Sequence, residues 1–295
     1  VTFNNGTYTV TPKAVVVNID DKSSVYGEDF KELTASVDET TLAYGEKYAD
    51  LGIELTKLEG KDVGTYAITG ESSNGNYTVT FNNGIYTITA KAVVVTIDDK
   101  TSVYGDNFKE LTFKVDESTL AYGEKAEVLN VELTKAEGTD VNVYEITGEY
   151  SNNNYTVTFE NGVYEITPRA VTVQVNNGTS VYGEAIDANV GVTLVEGSLA
   201  YEETLDTLGV ETFKIEGTDV GEYLIGGAAS NGNYTVTVLD GVYTITPKTV
   251  VVNIDDKSSV YGEDFKELTA SVDESTLAYG EKYADLGVEL FKLNG

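Results

Sequence analysis

The 295-residue chain contains no cysteine, no histidine and no tryptophan, only three prolines, and 19 basic against 49 acidic side chains. Without Cys there is no disulfide framework. That absence suits an oxidising exterior populated by thiol-free proteins as well as a reducing cytosol. Without His or Cys the usual equipment of catalysis is missing, and the plentiful Asp, Glu, Ser and Thr recur in every stretch instead of converging once. The expectation is therefore that the chain is not an enzyme, with no catalytic, cofactor-binding or metal-binding residue assigned. A net charge of −30 argues against nucleic acid as a partner. No signal peptide or long apolar run is visible, so this segment is not expected to insert into a membrane. Strong acidity with few aromatics would suggest disorder, but 21 Tyr and 9 Phe stand at recurring positions, which favours a folded chain with an acidic surface.

What is present is repetition. The motif Val-Tyr-Gly begins at Val25, Val103, Val181 and Val260, a period of 78, 78 and 79 residues. Residues 13–60 and 248–295 agree at 43 of 48 positions. Repeats of this length read as small domains in series. The predicted division is 1–12 as the closing hairpin of a truncated repeat, 13–90, 91–168 and 169–247 as three full repeats, and 248–295 as the opening part of a fourth. The extra residue of the third repeat lies between Val181 and Leu199 and reads as a loop insertion.

Apolar spacing predicts strands. In "VTFNNGIYTIT" (79–89), Asn83-Gly84 between two alternating runs is the signature of a two-residue type I′ hairpin. That turn would pair Phe81 with Tyr86 and Val79 with Ile88, placing all four on one face. Asn161-Gly162 and Asp240-Gly241 give the same register. "KAVVVNID" from Lys13, "LTASV" and "IELTKLE" read as further strands, and "TLAYGEKYADLG" as a loop with at most one helical turn. Six or seven short strands per unit suit a sandwich or barrel.

"DVGTYAITG" (62–70) recurs from Asp140 and Asp219. In immunoglobulin-type sandwiches a Tyr two residues before a core position hydrogen-bonds back to nearby backbone. Tyr66, Tyr144 and Tyr223 stand two residues before Ile68, Ile146 and Ile225, so a tyrosine corner is expected, with Gly64 supplying an unusual backbone angle. The alternative is a Tyr in an ordinary β-turn. Taken together, "VYGE", the "LAYGE" loop, "DVGTY", "NGNYTVTFNNGIYTIT" and the 78-residue period resemble the bacterial MBG-type Ig-like repeats of large cell-surface adhesins. The resemblance covers the whole chain and implies a secreted, repeat-built stalk at the bacterial surface that holds a terminal domain away from the cell.

The joints are short. Only Ala90-Lys91, Pro168-Arg169 or Pro247-Lys248 separate the last strand of one repeat from the first of the next, and Pro restricts its neighbour to extended backbone. The fold class expected is all-β, a tandem array of small Ig-like β-sandwich domains forming an elongated rod, with about 35–45 Å added per unit on strand-length arithmetic. Expected partners are neighbouring repeats of the same chain, other copies in a fibre, and a host glycan or protein met through domains outside these residues. Alternative functions are a multivalent ligand-binding array and a self-associating filament.

Three side-chain groups invite chemistry. Asp20-Asp21, Asp98-Asp99 and Asp255-Asp256 could offer oxygens to calcium, but the third repeat has Asn176-Asn177 there, so a solvated acidic turn is the preferred reading. Lys57, Lys135, Lys214 and Lys292 could form isopeptide bonds with Asn76, Asn154 or Asn233. The competing reading is a packed stem whose ammonium reaches a strand-end carboxylate. "NYT" at each of those Asn residues fits a glycosylation sequon but reads as turn residues.

Overall fold

A computed structural model describes residues 1–187, 189–213 and 215–293. Lys214 lies outside the described residues. Among them every regular element is a strand or a short 3₁₀ turn. The chain divides into two compact units, residues 1–101, 109–138 and 143–165 in the first and 102–108, 139–142 and 166–295 in the second.

In the first unit, residues 13–90 fold into seven strands: β1 (Lys13–Ile19), β2 (Lys22–Val25), β3 (Ala35–Val37), β4 (Ile53–Lys57), β5 (Gly64–Ser72), β6 (Tyr77–Asn82) and β7 (Gly84–Thr89). They form two sheets, β3-β1-β6 and β2-β7-β5-β4. Val15, Val17 and Ile19 are buried while Val16 is exposed, the alternation of a strand with one covered face. The "TLAYGEKYADLG" segment (41–52) holds one 3₁₀ turn, Tyr48–Leu51, and a second, Glu39–Thr41, ends where it begins.

The Asn83-Gly84 hairpin does not form. β6 pairs in parallel with β1, Val17 opposite Phe81, and β7 pairs in parallel with β2 and antiparallel with β5. Two neighbouring chain segments therefore leave one sheet together and enter the other, at Asp20-Asp21 and at Asn83. Gly84 is required by close approach and not by a left-handed turn: a Cβ there would stand 2.7 Å from the Asp20 carbonyl oxygen. The same crowding meets Gly162 and Gly241, at 2.8 Å from the Ile97 and 2.6 Å from the Val175 carbonyl. Facing is nevertheless as the alternation predicts, since Tyr77, Tyr86 and Ile88 are buried.

The chain repeats this plan in β8 (Lys91–Ile97), β9 (Lys100–Val103), β10 (Phe113–Val115), β11 (Glu132–Lys135), β12 (Asn142–Glu149), β13 (Tyr155–Glu160) and β14 (Gly162–Thr167). Within the first unit β13 runs parallel to β8 and β10 antiparallel to it. One apolar core joins Ile68, Tyr86 and Ile88 of residues 13–90 to Val95, Leu129 and Tyr155 of the following repeat. The repeats there are not separate beads.

In the second unit come β15 (Arg169–Val175), β16 (Gly178–Val181), β17 (Val192–Glu196), β18 (Glu211–Thr212), β19 (Gly221–Ile225), β20 (Gly227–Ala228), β21 (Tyr234–Leu239) and β22 (Gly241–Thr246), followed by β23 (Val252–Ile254) and β24 (Ala270–Val272). β15 and β21 are parallel, as are β16 and β22. Val175 pairs with Val192 where Ile19 pairs with Ala35, so the extra residue is taken up in the loop before β17. Val175, Ile225, Tyr243 and Ile245 form its core. Residues 1–12 carry no strand, correcting the expected hairpin: the equivalents of their sequence pair with strands 64 residues upstream, as Phe81 does with Val17.

Candidate functional site at the joint between repeats

In three of the four Val-Tyr-Gly motifs the tyrosine leaves its own repeat and packs against the next, buried at Tyr26 and Tyr104 and half-buried at Tyr182. Tyr26, 3% exposed, follows β2 and donates its backbone N–H to the Thr89 carbonyl at 2.8 Å. Its hydroxyl donates to Glu124 Oε1 at 3.0 Å. Its ring meets Tyr122 and Tyr155 edge-on, with centroids 5.3 and 5.5 Å apart, the arrangement aromatic quadrupoles favour. Glu124 also accepts from the Tyr155 hydroxyl, which itself accepts from the Ala121 N–H at 2.8 Å. One carboxylate thus gathers two phenols from different repeats. Burial first, and then the Glu124 hydrogen bond, hold the Tyr26 phenol far above its ordinary value and push Tyr155 up to about 12, because a phenolate beside a carboxylate in an apolar setting is disfavoured.

Backbone geometry supports the insertion. Gly27 has φ +86° and a Cβ there would stand 2.5 Å from the Ala121 Cβ, so both the angle and the space require glycine. Tyr122 is held at φ +53°, a left-handed conformation costly for a bulky residue, with Lys61 Nζ 4.8 Å from its ring centre. A second contact lies alongside. The Asn154 side chain accepts the Val63 N–H at 2.8 Å and donates to Asp62 Oδ1 at 3.0 Å. Asn154 therefore clamps the loop that precedes the tyrosine corner.

The same set recurs within the second unit. The Tyr104 hydroxyl donates to Glu203 at 3.0 Å, its ring lies edge-on to Tyr201 and Tyr234, and Asn233 holds Val141 and Asp140 at 2.9 Å each. Burial first, then Glu203, pushes the Tyr104 phenol up to about 12. Arg169 adds a feature the first joint lacks, donating to the Tyr104 carbonyl at 2.6 Å and pairing with Asp106. Tyr182 donates to Glu281 at 2.8 Å and meets Tyr279 edge-on.

The groups singled out in the sequence have other tasks. Tyr66 and Tyr223 donate to the Asp62 and Asp219 carbonyls at 2.8 and 2.9 Å, which is the tyrosine-corner bond, and Ile68, Ile146 and Ile225 are fully buried. The left-handed glycine there is Gly60, φ +143°, and not Gly64. The Asp pairs are clips at the point where the chain changes sheets. Asp21, Asp99 and Asn177 accept the N–H of Ile85, Val163 and Val242 at 2.7, 2.8 and 2.9 Å, while Asp20, Asp98 and Asn176 accept from Thr34, Thr112 and Thr193 hydroxyls. Lys57 Nζ bonds the Leu58 and Gly60 carbonyls at 2.7 and 2.9 Å and sits 4.4 Å from both the Phe30 and Tyr66 ring centres. Lys135 bonds Ala136 and Gly138 in the same way. Among the described residues Lys57 and Lys135 thus serve backbone carbonyls and Lys57 two rings, while Asn154 and Asn233 serve the joints. Sequence reasoning missed the tyrosine–glutamate network. Its only signal was the co-recurrence of "VYG" and "AYGE", which names no contact.

No curated protein matches the chain. Among solved structures, one of the M60 catalytic domain with two CBM51 domains of ZmpB from Clostridium perfringens is similar at 10% identity and a TM-score of 0.21, over 83% of this chain and 33% of that one. A likeness that slight carries no argument about fold or function. The model of the MBG domain (YGX type) matches residues 15–87, 93–165 and 171–244. The chain belongs to the MBG domain (YGX type) family, of which it carries three tandem copies.

Proposed function

We propose that the chain is a non-catalytic spacer: a semi-rigid segment of a long repetitive adhesin or fibre on the outside of a bacterial cell, holding a terminal domain at a distance. One observation carries this reading. The first two full repeats each deliver a tyrosine into the next, where it is held by a carboxylate, two rings and a small-residue contact, while the covalent connection is a single residue such as Ala90 between β7 and β8. A connection of this kind has little conformational freedom to lose, unlike a Gly/Ser linker. Acidity supports a solvated, non-collapsing surface. The extracellular setting follows from the adhesin resemblance.

Small-angle scattering on the chain and on versions with one repeat more or fewer tests the reading. A spacer gives a maximum dimension that grows linearly with repeat number and changes little between low and high salt. A dimension that stays constant as repeats are added overturns it.

A further inference from the structure

The strands that receive tension in a repeat are fixed by its topology. The chain enters residues 13–90 at Lys13, the first residue of β1, and leaves at Thr89, the last of β7. β1 and β2 form one run of chain, β6 and β7 another, and the two runs lie side by side in the same direction. β1 is parallel to β6 over six register positions, from Lys13 opposite Tyr77 to Asn18 opposite Asn82. β2 is parallel to β7 over four, from Lys22 opposite Tyr86 to Val25 opposite Thr89. Backbone bonds close both extremes, the Lys13 N–H donating to the Asn76 carbonyl at 2.9 Å and the Tyr26 N–H to the Thr89 carbonyl at 2.8 Å.

Direction decides what a pull does. Tension draws β1–β2 by its upstream end and β6–β7 by its downstream end, so the two runs must slide past each other before the repeat can open. Bonds in a parallel ladder are evenly spaced along it. Sliding therefore strains them together, whereas strands drawn apart from a shared end open bond by bond. β3, β4 and β5 lie between Val25 and Tyr77 in the chain and receive no tension until the runs have parted.

Side chains fasten the same two runs where both change sheets. Asn82 Nδ2 donates to Asn18 Oδ1 at 2.7 Å. At the equivalent place in the next repeat Thr96 Oγ1 donates to Glu160 Oε2 at 2.6 Å, and in the third Gln174 Nε2 donates to the Asp240 carbonyl at 2.6 Å. The residue types differ while the place stays the same. Parallel pairing recurs with them, β8 with β13, β15 with β21 and β16 with β22.

We propose that each repeat is a tension-bearing clamp, in which the run entering the repeat and the run leaving it are loaded in shear and shield the strands between them. The clamp stands independently of the spacer reading. Scattering measures extension at rest and pulling measures resistance to rupture, so either can fail alone.

Single-molecule pulling of the full chain tests it. The chain has no cysteine, so two introduced cysteines are the only attachment points. Lys13→Cys with Thr89→Cys loads the runs in shear. Ser23→Cys with Asn83→Cys loads the same repeat at the crossover, where β1 and β6 end and β2 and β7 begin, and peels both pairs. All four positions are exposed, so both chains are expected to keep the same circular-dichroism spectrum and thermal midpoint. Forced unfolding follows the barrier and not the equilibrium stability, so a difference between the two loadings reports geometry. Rupture of the repeat is recognised by the chain released, up to roughly 270 Å from the first pair and roughly 210 Å from the second. In residues 169–247, Pro168→Cys with Pro247→Cys against Thr179→Cys with Asp240→Cys repeats the comparison at exposed positions, should a variant of the first repeat fail to fold. The expected result is a rupture force several-fold higher across the ends of a repeat than across its crossover at the same loading rate. A comparable or lower force across the ends, in either repeat, overturns the proposal.

Discussion

At the scale of single residues, Glu124 is the pivot of the first joint because it accepts from Tyr26 and Tyr155 at once. A hydrogen bond to a charged acceptor contributes about 1.5–3 kcal/mol, so Tyr26→Phe, which keeps the ring contacts, is expected to lower stability by roughly that amount in urea titration. Removing the ring as well, in Tyr26→Ala, costs about 3–5 kcal/mol for the cavity left behind. Proton linkage gives the pH dependence. The phenols of Tyr155 and Tyr104 are raised in the folded state to about 12 from an ordinary value near 10. A raised group contributes stability that is fully present below its unfolded value and is lost as pH climbs through its folded one. Stability should therefore be insensitive to these phenols at neutral pH and fall between about pH 10 and 12. In Tyr26→Phe that fall is shallower, because Tyr26 is raised as well. Equally steep alkaline limbs for wild type and Tyr26→Phe would remove Tyr26 from the linkage.

At the scale of elements, the determining event is the shared change of sheet by β1–β2 and β6–β7. Asp21 secures it by accepting the Ile85 N–H, and Asn177 performs the same task for Val242. Neutral and charged acceptors both serve, so the oxygen matters more than the charge. Asp21→Asn is expected to be near neutral in thermal denaturation, and Asp21→Ala to cost about 1–3 kcal/mol by leaving a backbone donor without its acceptor. A loss in Asp21→Asn as large as in Asp21→Ala would mean that the charge itself is required. The same switch explains what was legible. Alternation in "KAVVVNID" and "YTVTF" fixes which side chains face inward, and that period is local. Asn-Gly fixes a turn only when both residues take positive φ, whereas Gly84 is there for the Asp20 carbonyl, a contact made 64 positions away in sequence. Local pattern reports facing and cannot report the partner strand. The tyrosine corner was legible because its bond spans four residues, Tyr66 to Asp62. The joint was not, because Tyr26 and Glu124 are 98 apart.

At the scale of the whole molecule, stability is a sum of repeat terms and joint terms, as in other linear arrays. The joint term is large where the core is continuous, as between residues 13–90 and the following repeat. Neighbours coupled by several kcal/mol melt together, since leaving one folded exposes its share of the common surface. Glu124→Ala is the discriminating change. It removes the acceptor of two phenols while leaving each repeat's own strands: the Tyr26 hydroxyl is then buried without a partner, a penalty of about 1–3 kcal/mol, and the Tyr155 hydroxyl keeps only the Ala121 N–H. Calorimetry of the wild type is expected to show one dominant transition within the first unit, with a van't Hoff enthalpy close to the calorimetric one. Glu124→Ala should lower that ratio, by splitting or broadening the transition, more than it lowers the total heat. Glu132→Ala, an exposed residue on β11, should leave the ratio unchanged. If Glu124→Ala shifts the midpoint but keeps the transition as cooperative as before, the tyrosine–glutamate contacts stabilise a single repeat and do not couple neighbours. The coupling would then reside in the apolar residues alone, with Gly27 and Ala121 the next positions to change.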